Sequence, residues 1–373
     1  SPIAKEYADE HIRESTLDKD LVLKIAKEQK ADLVISTCID QANVTAAFVC
    51  EQMGLPAPYS FETALNVTDK LKMKAILIRN GVPTSKFKKI AKSADLENWN
   101  FNYPIIIKPT DSNSSKGIYK IEEPISSLDE IIQDAISYSR TKEAIVEEFV
   151  SGQEIGIDTF VSNGVAKVLM IKERRKIIKN AQGCQNILGC IWPMPLTEDV
   201  KKKAEIIANK IAKAFGLNNS ALMIQAILKD GELSVIEFGA RIGGGESYRI
   251  IKDCVGFDYV EASISTFTGE PLKEKLRSPE YYYADNFIYV KESIFNNIDF
   301  CDEFLYDGTI DHAYALKTKG SKIDSSLSSN NRVGTFVVKA KDINTLYEKI
   351  EKVISNMEVY DIDGNPVMRK DIY

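Results

Sequence analysis

Histidine is almost missing from this chain of 373 residues, which holds only His11 and His312. Neither stands near a nucleophile motif, so a histidine-dependent triad has no base, and both read as surface residues. Cys38, Cys50, Cys184, Cys190, Cys254 and Cys301 are scattered and include no C-x-x-C. That pattern argues against a zinc cluster and a disulfide framework, and predicts reduced thiols in a cytoplasmic protein. No apolar run approaches ~18 residues, so no membrane-crossing helix is expected. A basic excess is lacking too: the net charge is -6 and the pI near 5.4. Nucleic acid is therefore not the expected partner. The phosphate-loop pattern G-x-x-x-x-G-K-[ST] does not occur, nor does an internal repeat. The first residues, SPIAKEYADEH, read as neither a signal nor a transit peptide.

What is present centres on Met223 to Ile250, MIQAILKDGELSVIEFGARIGGGESYRI. Two short apolar strands flank Asp230-Gly231, a strong hairpin signal. Gln225, Glu237 and Arg241 stand where a plain core hairpin would not put them. A two-residue turn would send Gln225 and Glu237 to opposite faces. A three-residue loop, Lys229-Asp230-Gly231 with Gly231 left-handed, pairs Gln225 with Val235 and places both polar residues on one face. There they can offer oxygens to a hard cation such as Mg²⁺. The plainer alternative is an edge hairpin with two solvated side chains. Beyond it, Gly243, Gly244 and Gly245 can expose N–H groups to an anion before a helix. A cation site, an arginine and an anion-binding turn suit a phosphorylated or carboxylate substrate.

Upstream, the spacing predicts helices over 20–29 and 42–53 around a buried strand, Ala31 to Thr37. A helix capped by Thr68 and Gly81 carries Lys70. Tyr103 to Thr110 reads as a strand, and its Lys108 needs an anionic partner or an outlet to water. The loop TDSNSSKGI follows, rich in donors. Strands over 144–150, 154–161 and 166–173, an amphipathic helix over 197–215 and a loop over 180–195 come next. Strands dominate after about Tyr281, with a Ser/Asn-rich loop, SKIDSSLSSNNR. No chemistry is expected there.

The Gln…Glu-x-x-x-Arg hairpin, with Lys108 and the Ser/Gly loop before it, resembles the ATP-grasp superfamily. The branch it looks like holds carbamoyl phosphate synthetase, biotin carboxylase and bacterial L-amino-acid ligases. Where that family reads Glu-x-Asn-x-Arg, this chain has Gly239, so one ligand of a second metal is missing or comes from elsewhere. The resemblance implies an α/β and α+β multidomain fold. A Rossmann-like pre-ATP-grasp domain would occupy 1–67, entered after its first βα unit. An ATP-grasp domain would occupy 68–280, with a nucleotide subdomain at about 76–146 and a catalytic one at about 151–280. A β-rich subdomain would occupy 281–373.

The resemblance also implies roles. Lys70 and Lys108 would reach the nucleotide, under a flap of Ser114, Ser115 and Gly117. Glu147, Glu148, Phe149 and Val150 would form the adenine linker, and Glu154 would bind ribose. Lys172 or Arg174 would touch phosphate or substrate. Gln225 and Glu237 would hold Mg²⁺ or Mn²⁺, and Arg241 would stabilise the transferring group. Gly243, Gly244, Gly245 and Ser247 would face the acceptor. The implied activity is ADP-forming ligation of a small carboxylate and an amine through an acylphosphate. The alternatives are a bicarbonate-activating enzyme or a non-catalytic ATP-binding module. Small molecules would be the partners, and a homodimer through the N-terminal domain is compatible with the resemblance.

Overall fold

The computed structural model describes residues 3–97, 99, 102–112, 116–177, 186–270 and 276–373. Three helices lead: α1 (Lys19–Glu28), α2 (Asp40–Met53) and α3 (Phe61–Thr68). Asp18 and Ser60 cap the first and third by accepting from the N–H groups of Leu21 and Thr63. The strand expected over 31–37 does not form. An apolar stretch becomes a strand only against a neighbour's ladder, and the described residues supply none. Leu33 and Ile35 consequently stay 38% and 44% exposed.

The next helix, α4 (Lys70–Arg79), is capped by Asp69, which accepts from the N–H groups of Leu71 and Lys72. Thr68, expected in that role, instead ends α3 and donates to the Ala64 carbonyl at 2.8 Å. A four-stranded antiparallel sheet follows, made of β1 (Phe87–Ile90), β2 (Ile105–Pro109), β3 (Tyr119–Ile121) and β4 (Ala144–Glu148), in the order β1-β4-β2-β3. Between β3 and β4, helix α5 (Leu128–Ser137) buries Leu128, Ile132 and Ala135 against Ile105, Ile107 and Val146. That packing fixes the sheet carrying Lys108.

The larger layer contains β5 (Gln153–Ser162), β6 (Val165–Lys176), β7 (Ile187–Trp192), β8 (Ser220–Lys229) and β9 (Glu232–Gly239). Helix α6 (Glu198–Ala214) lies between β7 and β8. Its stripe of Val200, Ala204, Ile207, Ala208 and Ile211 packs on Ile155, Ile157, Leu222, Ile224 and Val235. Each buried isoleucine or leucine contributes roughly 1.5–3 kcal/mol, so this helix is a main clamp on the hairpin. The loop expected over 180–195 is corrected in its second half, where Ile187–Trp192 is a fully buried central strand; residues 180–185 lie outside the described residues. Its glycine and prolines suggested a loop, but six consecutive apolar or small residues suit a strand buried on both faces.

After α7 (Ser247–Val255) and α8 (Tyr259–Thr268), the C-terminal part adds β10 (Tyr282–Ile288), β11 (Ser293–Asp299), α9 (Asp302–Tyr306), β12 (His312–Ala315), β13 (Lys322–Ile323), β14 (Gly334–Ala340), α10 (Ile343–Asn356) and β15 (Glu358–Asp361). Three of these strands extend the larger layer into eight, ordered β12-β14-β10-β7-β6-β5-β8-β9. The others form a small sheet, β13-β11-β15. The C-terminal part therefore shares a sheet with the hairpin. His312, expected at the surface, is only 8% exposed; it bonds Asp311 at 3.0 Å and Glu246, the N-cap of α7, at 3.3 Å.

The β8–β9 register corrects the expected turn. Lys229 pairs with Glu232, so Asp230 and Gly231 form a two-residue turn, both left-handed at φ 51° and 78°. Such a turn alone would place Gln225 against Ile236. The ladder instead slips beyond Ala226, and Gln225 pairs directly with Glu237. A bulge in the strand, rather than a third turn residue, brings the two side chains to one face.

Candidate functional site

A cavity of about 560 Å³ opens between the two main sheets, well within the range of small-molecule sites. Gln225 and Glu237 line it from the hairpin, and Lys70 and Lys108 from the opposite side. Lys70 Nζ lies 3.7 Å from Glu237 Oε2 and donates to the Ser112 carbonyl at 2.8 Å. Burial alone would raise the Glu237 carboxyl, yet Lys70, Lys108 and Arg174 pull it below the usual glutamate value. It is thus an anion, and the Gln225 side chain across the ladder takes no hydrogen-bond partner among the described residues. An ionised carboxylate beside an unused amide oxygen fits a hard divalent cation. Among the described residues no third acidic, histidine or cysteine ligand joins them, so phosphate oxygens would complete such a site.

Lys108 finds the anionic partner its strand position demanded. Its Nζ lies 2.7 Å from Glu147 Oε1, while Lys74 Nζ lies 3.0 Å from Glu147 Oε2. Ser85 donates to the same oxygen at 2.8 Å. Burial opposes ionisation of Glu147, but Lys108 and Lys74 hold its carboxyl at about 2. Burial also drives Lys74 down to about 8 despite that partner. Glu147, expected in the adenine linker, is therefore a counterion for two lysines.

The linker proper is Phe149-Val150, between β4 and β5. The Phe149 N–H is spent on the Pro104 carbonyl at 2.9 Å, and Glu148 meets Lys86 at 3.2 Å. The Val150 N–H has no partner among the described residues. It is the donor available for the edge of a base, with Ile106, Ile118, Ile227 and Ile236 nearby as apolar cavity wall. Glu154 is committed to Arg174 at 2.7 Å and Lys176 at 2.9 Å. Both cations line the cavity, whereas Lys172 is enclosed with Asp158 at 2.8 Å and Ser247 at 2.7 Å.

Arg241 also lines the cavity and is held by Asp40 at the start of α2. Its Nε and Nη2 donate to Oδ1 and Oδ2, each at 2.8 Å. Gly239 has a local reason: a Cβ there would stand 2.9 Å from Asp40 Oδ1. The aspartate fills space that an asparagine side chain would need. Of the glycine loop, only Gly244 lines the cavity. Gly243 packs on Asp158 and Gly245 on Asp285 and Phe287, while Ser247 donates to the Gly244 carbonyl at 2.9 Å. These three brace the loop rather than face the cavity. In the expected flap, Gly117 rests on Tyr138 with Ser112 and Ile118 at the cavity, and Ser114 and Ser115 lie outside the described residues.

Sequence reasoning missed Asp40, Lys74, Asn186, Phe287 and Arg332. Lys74 had a signal: it follows Lys70 by one helical turn, on the face of buried Met73 and Leu77. Asp40 is brought to Arg241 from 201 residues away, and nothing local marks it.

Residues 101–248 match the ATP-grasp domain family. The L-arginine-specific L-amino acid ligase of Bacillus subtilis is 25% identical over 279 residues, covering 71% of this chain and 66% of that protein. The alanine–anticapsin ligase of the same organism is 25% identical over 349 residues, covering 82% of this chain and 73% of that protein. The chain thus spans about two thirds of the length of the first of these relatives. The crystal structure of the L-amino acid ligase from Bacillus licheniformis matches with a TM-score of 0.80 at 22% identity, over 92% of this chain and 86% of that one; that likeness is one of fold. Residues 101–248 are thus similar to an ATP-grasp domain, and the fold and the cavity between the two sheets agree with that match.

Proposed function

We propose that this protein is an ADP-forming carboxylate–amine ligase acting on an amino acid or another small carboxylate. One observation carries the reading: Gln225 and ionised Glu237 face Lys70 and Lys108 across a single cavity that also contains Arg241 and the Val150 linker. The Val150 N–H would read the base edge, and Lys70 and Lys108 would neutralise phosphate charge. Gln225 and Glu237 would hold Mg²⁺ or Mn²⁺, which supplies charge neutralisation across ATP phosphates when bound. The substrate carboxylate then attacks the γ-phosphorus, a carboxyl O–P bond forms as the β–γ bridge breaks, and ADP leaves. Arg241 stabilises negative charge on the transferring group, its planar fork set by Asp40. An amine attacks the acyl carbon, phosphate departs with its electron pair, and the amine proton passes to solvent. Positioning and neutralisation suffice, so no nucleophilic serine or cysteine is required.

The test is ADP and phosphate release from ATP and Mg²⁺ across amino-acid pairs and bicarbonate. Release should require one carboxylate and one amine, and fall by at least ~100-fold in Glu237→Gln and Arg241→Ala. Release with bicarbonate alone would replace this reading with the bicarbonate-activating one. Tight ATP binding with silence throughout would favour a non-catalytic module.

A further inference from the structure

Six cations line the cavity: Lys70, Lys108, Arg174, Lys176, Arg241 and Arg332. Five of them lie within ion-pair distance of a carboxylate of the chain. Arg332 does not; among the described residues it has no carboxylate partner. It ends the Ser/Asn-rich loop of the C-terminal part, where no chemistry was expected.

Its placement is nonetheless built. The guanidinium carbon stands 3.6 Å from the centre of the Phe287 ring, and Nε donates to the Tyr289 hydroxyl at 2.9 Å. That hydroxyl is itself fixed by donating to the Ile187 carbonyl at 2.9 Å. On the loop side, Asn331 ties the segment together through the Ser326 carbonyl at 3.0 Å and its hydroxyl at 2.8 Å. On the strand side, the Val333 N–H donates to the Ile288 carbonyl at 2.9 Å. Stacking satisfies the face of the guanidinium and Tyr289 satisfies Nε. The Nη1 and Nη2 groups take no partner among the described residues. Two unused parallel donors on a pre-set planar cation match one ligand group best, a carboxylate held bidentately. Phe287 borders Gly245, at 3.1 Å from a Cβ built there, so Arg332 belongs to the glycine-loop end of the cavity rather than the Val150 end.

We propose that Arg332 binds a carboxylate that does not react, carried by the amine substrate. The nucleophile is then an α-amino acid or similar carboxylate-bearing amine, not a simple amine. The inference rests on the ligase reading and specifies its second substrate.

The experiment compares ADP release with each common amino acid and with its own α-carboxamide as the amine, in wild type, Arg332→Met and Arg332→Lys. Wild type should favour the free acid by on the order of 10–100-fold in kcat/KM. Arg332→Met should lose that preference through KM for the amine, with carboxamide rates and KM for ATP unchanged. Arg332→Lys, which keeps the charge, should recover part of it. Thermal melts of both variants with ADP verify the fold, and Arg332→Lys carries the test if Arg332→Met does not fold. A preference that survives in Arg332→Met or stays at its full wild-type size in Arg332→Lys, or a parallel rise in KM for ATP that marks a phosphate contact, overturns the proposal. A wild type that releases ADP but treats acid and carboxamide alike overturns it while leaving the ligase reading intact. A wild type silent with every amine sinks the ligase reading, and this inference with it.

Discussion

Glu147 shows how one side chain at the cavity sets the state of its neighbours. It shares its carboxylate between Lys108 and Lys74, and the three groups are buried together. Removing one member of such a cluster leaves uncompensated charge, which is strongly destabilising. The acid dependence follows from the carboxyl being held at about 2 in the fold against 4.5 in its absence. Between those values the unfolded chain binds more protons than the folded one. The stability this carboxylate contributes is therefore complete above about pH 4.5 and is lost as pH falls toward 2. Glu147→Gln should cost on the order of 3–5 kcal/mol at neutral pH and flatten that stretch of the acid limb. Urea unfolding at pH 7 and about pH 3 reads both; an acid limb as steep as wild type would contradict the assignment. Lys108 was legible because a lysine in an apolar strand must find an anion. Its partner was not, because Glu147 also fits the family's linker position.

At the scale of the element, the β8–β9 hairpin carries the main lesson. The sequence required Gln225 and Glu237 to share a face, and they do. The device differs from the expected one, since turn length and bulge shift parity equally and a one-residue slip leaves no local mark. Deleting Ile236 removes the extra residue, so the plain two-residue-turn register should return with Glu237 still directly opposite Gln225. The deletion should therefore keep the Mg²⁺-dependent part of ATP stabilisation, read as a shift in Tm. Loss of that shift in a variant that still unfolds cooperatively would show that the bulge itself, and not the pairing, sets the site. Similar reasoning explains the misread β7: glycine and proline mark loops, but the burial that makes Ile187–Trp192 a central strand comes from β6 and β10 on either side.

Across the whole molecule, the site is assembled from parts far apart in sequence. Asp40 reaches Arg241 from α2, the Ile242 N–H donates to the Thr37 carbonyl at 3.2 Å, and the Tyr59 hydroxyl donates to the Ala240 carbonyl at 3.0 Å. The N-terminal segment thus clamps the exit of β9, although its expected strand is unpaired. Outer partners of a site's charged groups commonly matter by about 10–100-fold. Asp40→Ala should lower kcat by about that factor with little change in the Kd for ATP; an unchanged kcat would make the contact structural only. Helices, the major strands and, among the cavity's cations, Lys70, Lys108, Arg174 and Arg241 were readable from periodicity, motif and the family resemblance. Asp40, Arg332 and the sheet shared with the C-terminal strands depend on long-range packing, which no local pattern encodes.

The central claim is that a carboxylate attacks the γ-phosphorus of ATP. Its most direct measurement uses substrate labelled with ¹⁸O in the carboxylate, followed by mass analysis of the released phosphate. The account predicts one labelled oxygen transferred to each phosphate, with ADP as the other nucleotide product. Phosphate free of label, or AMP and pyrophosphate in place of ADP and phosphate, would contradict it.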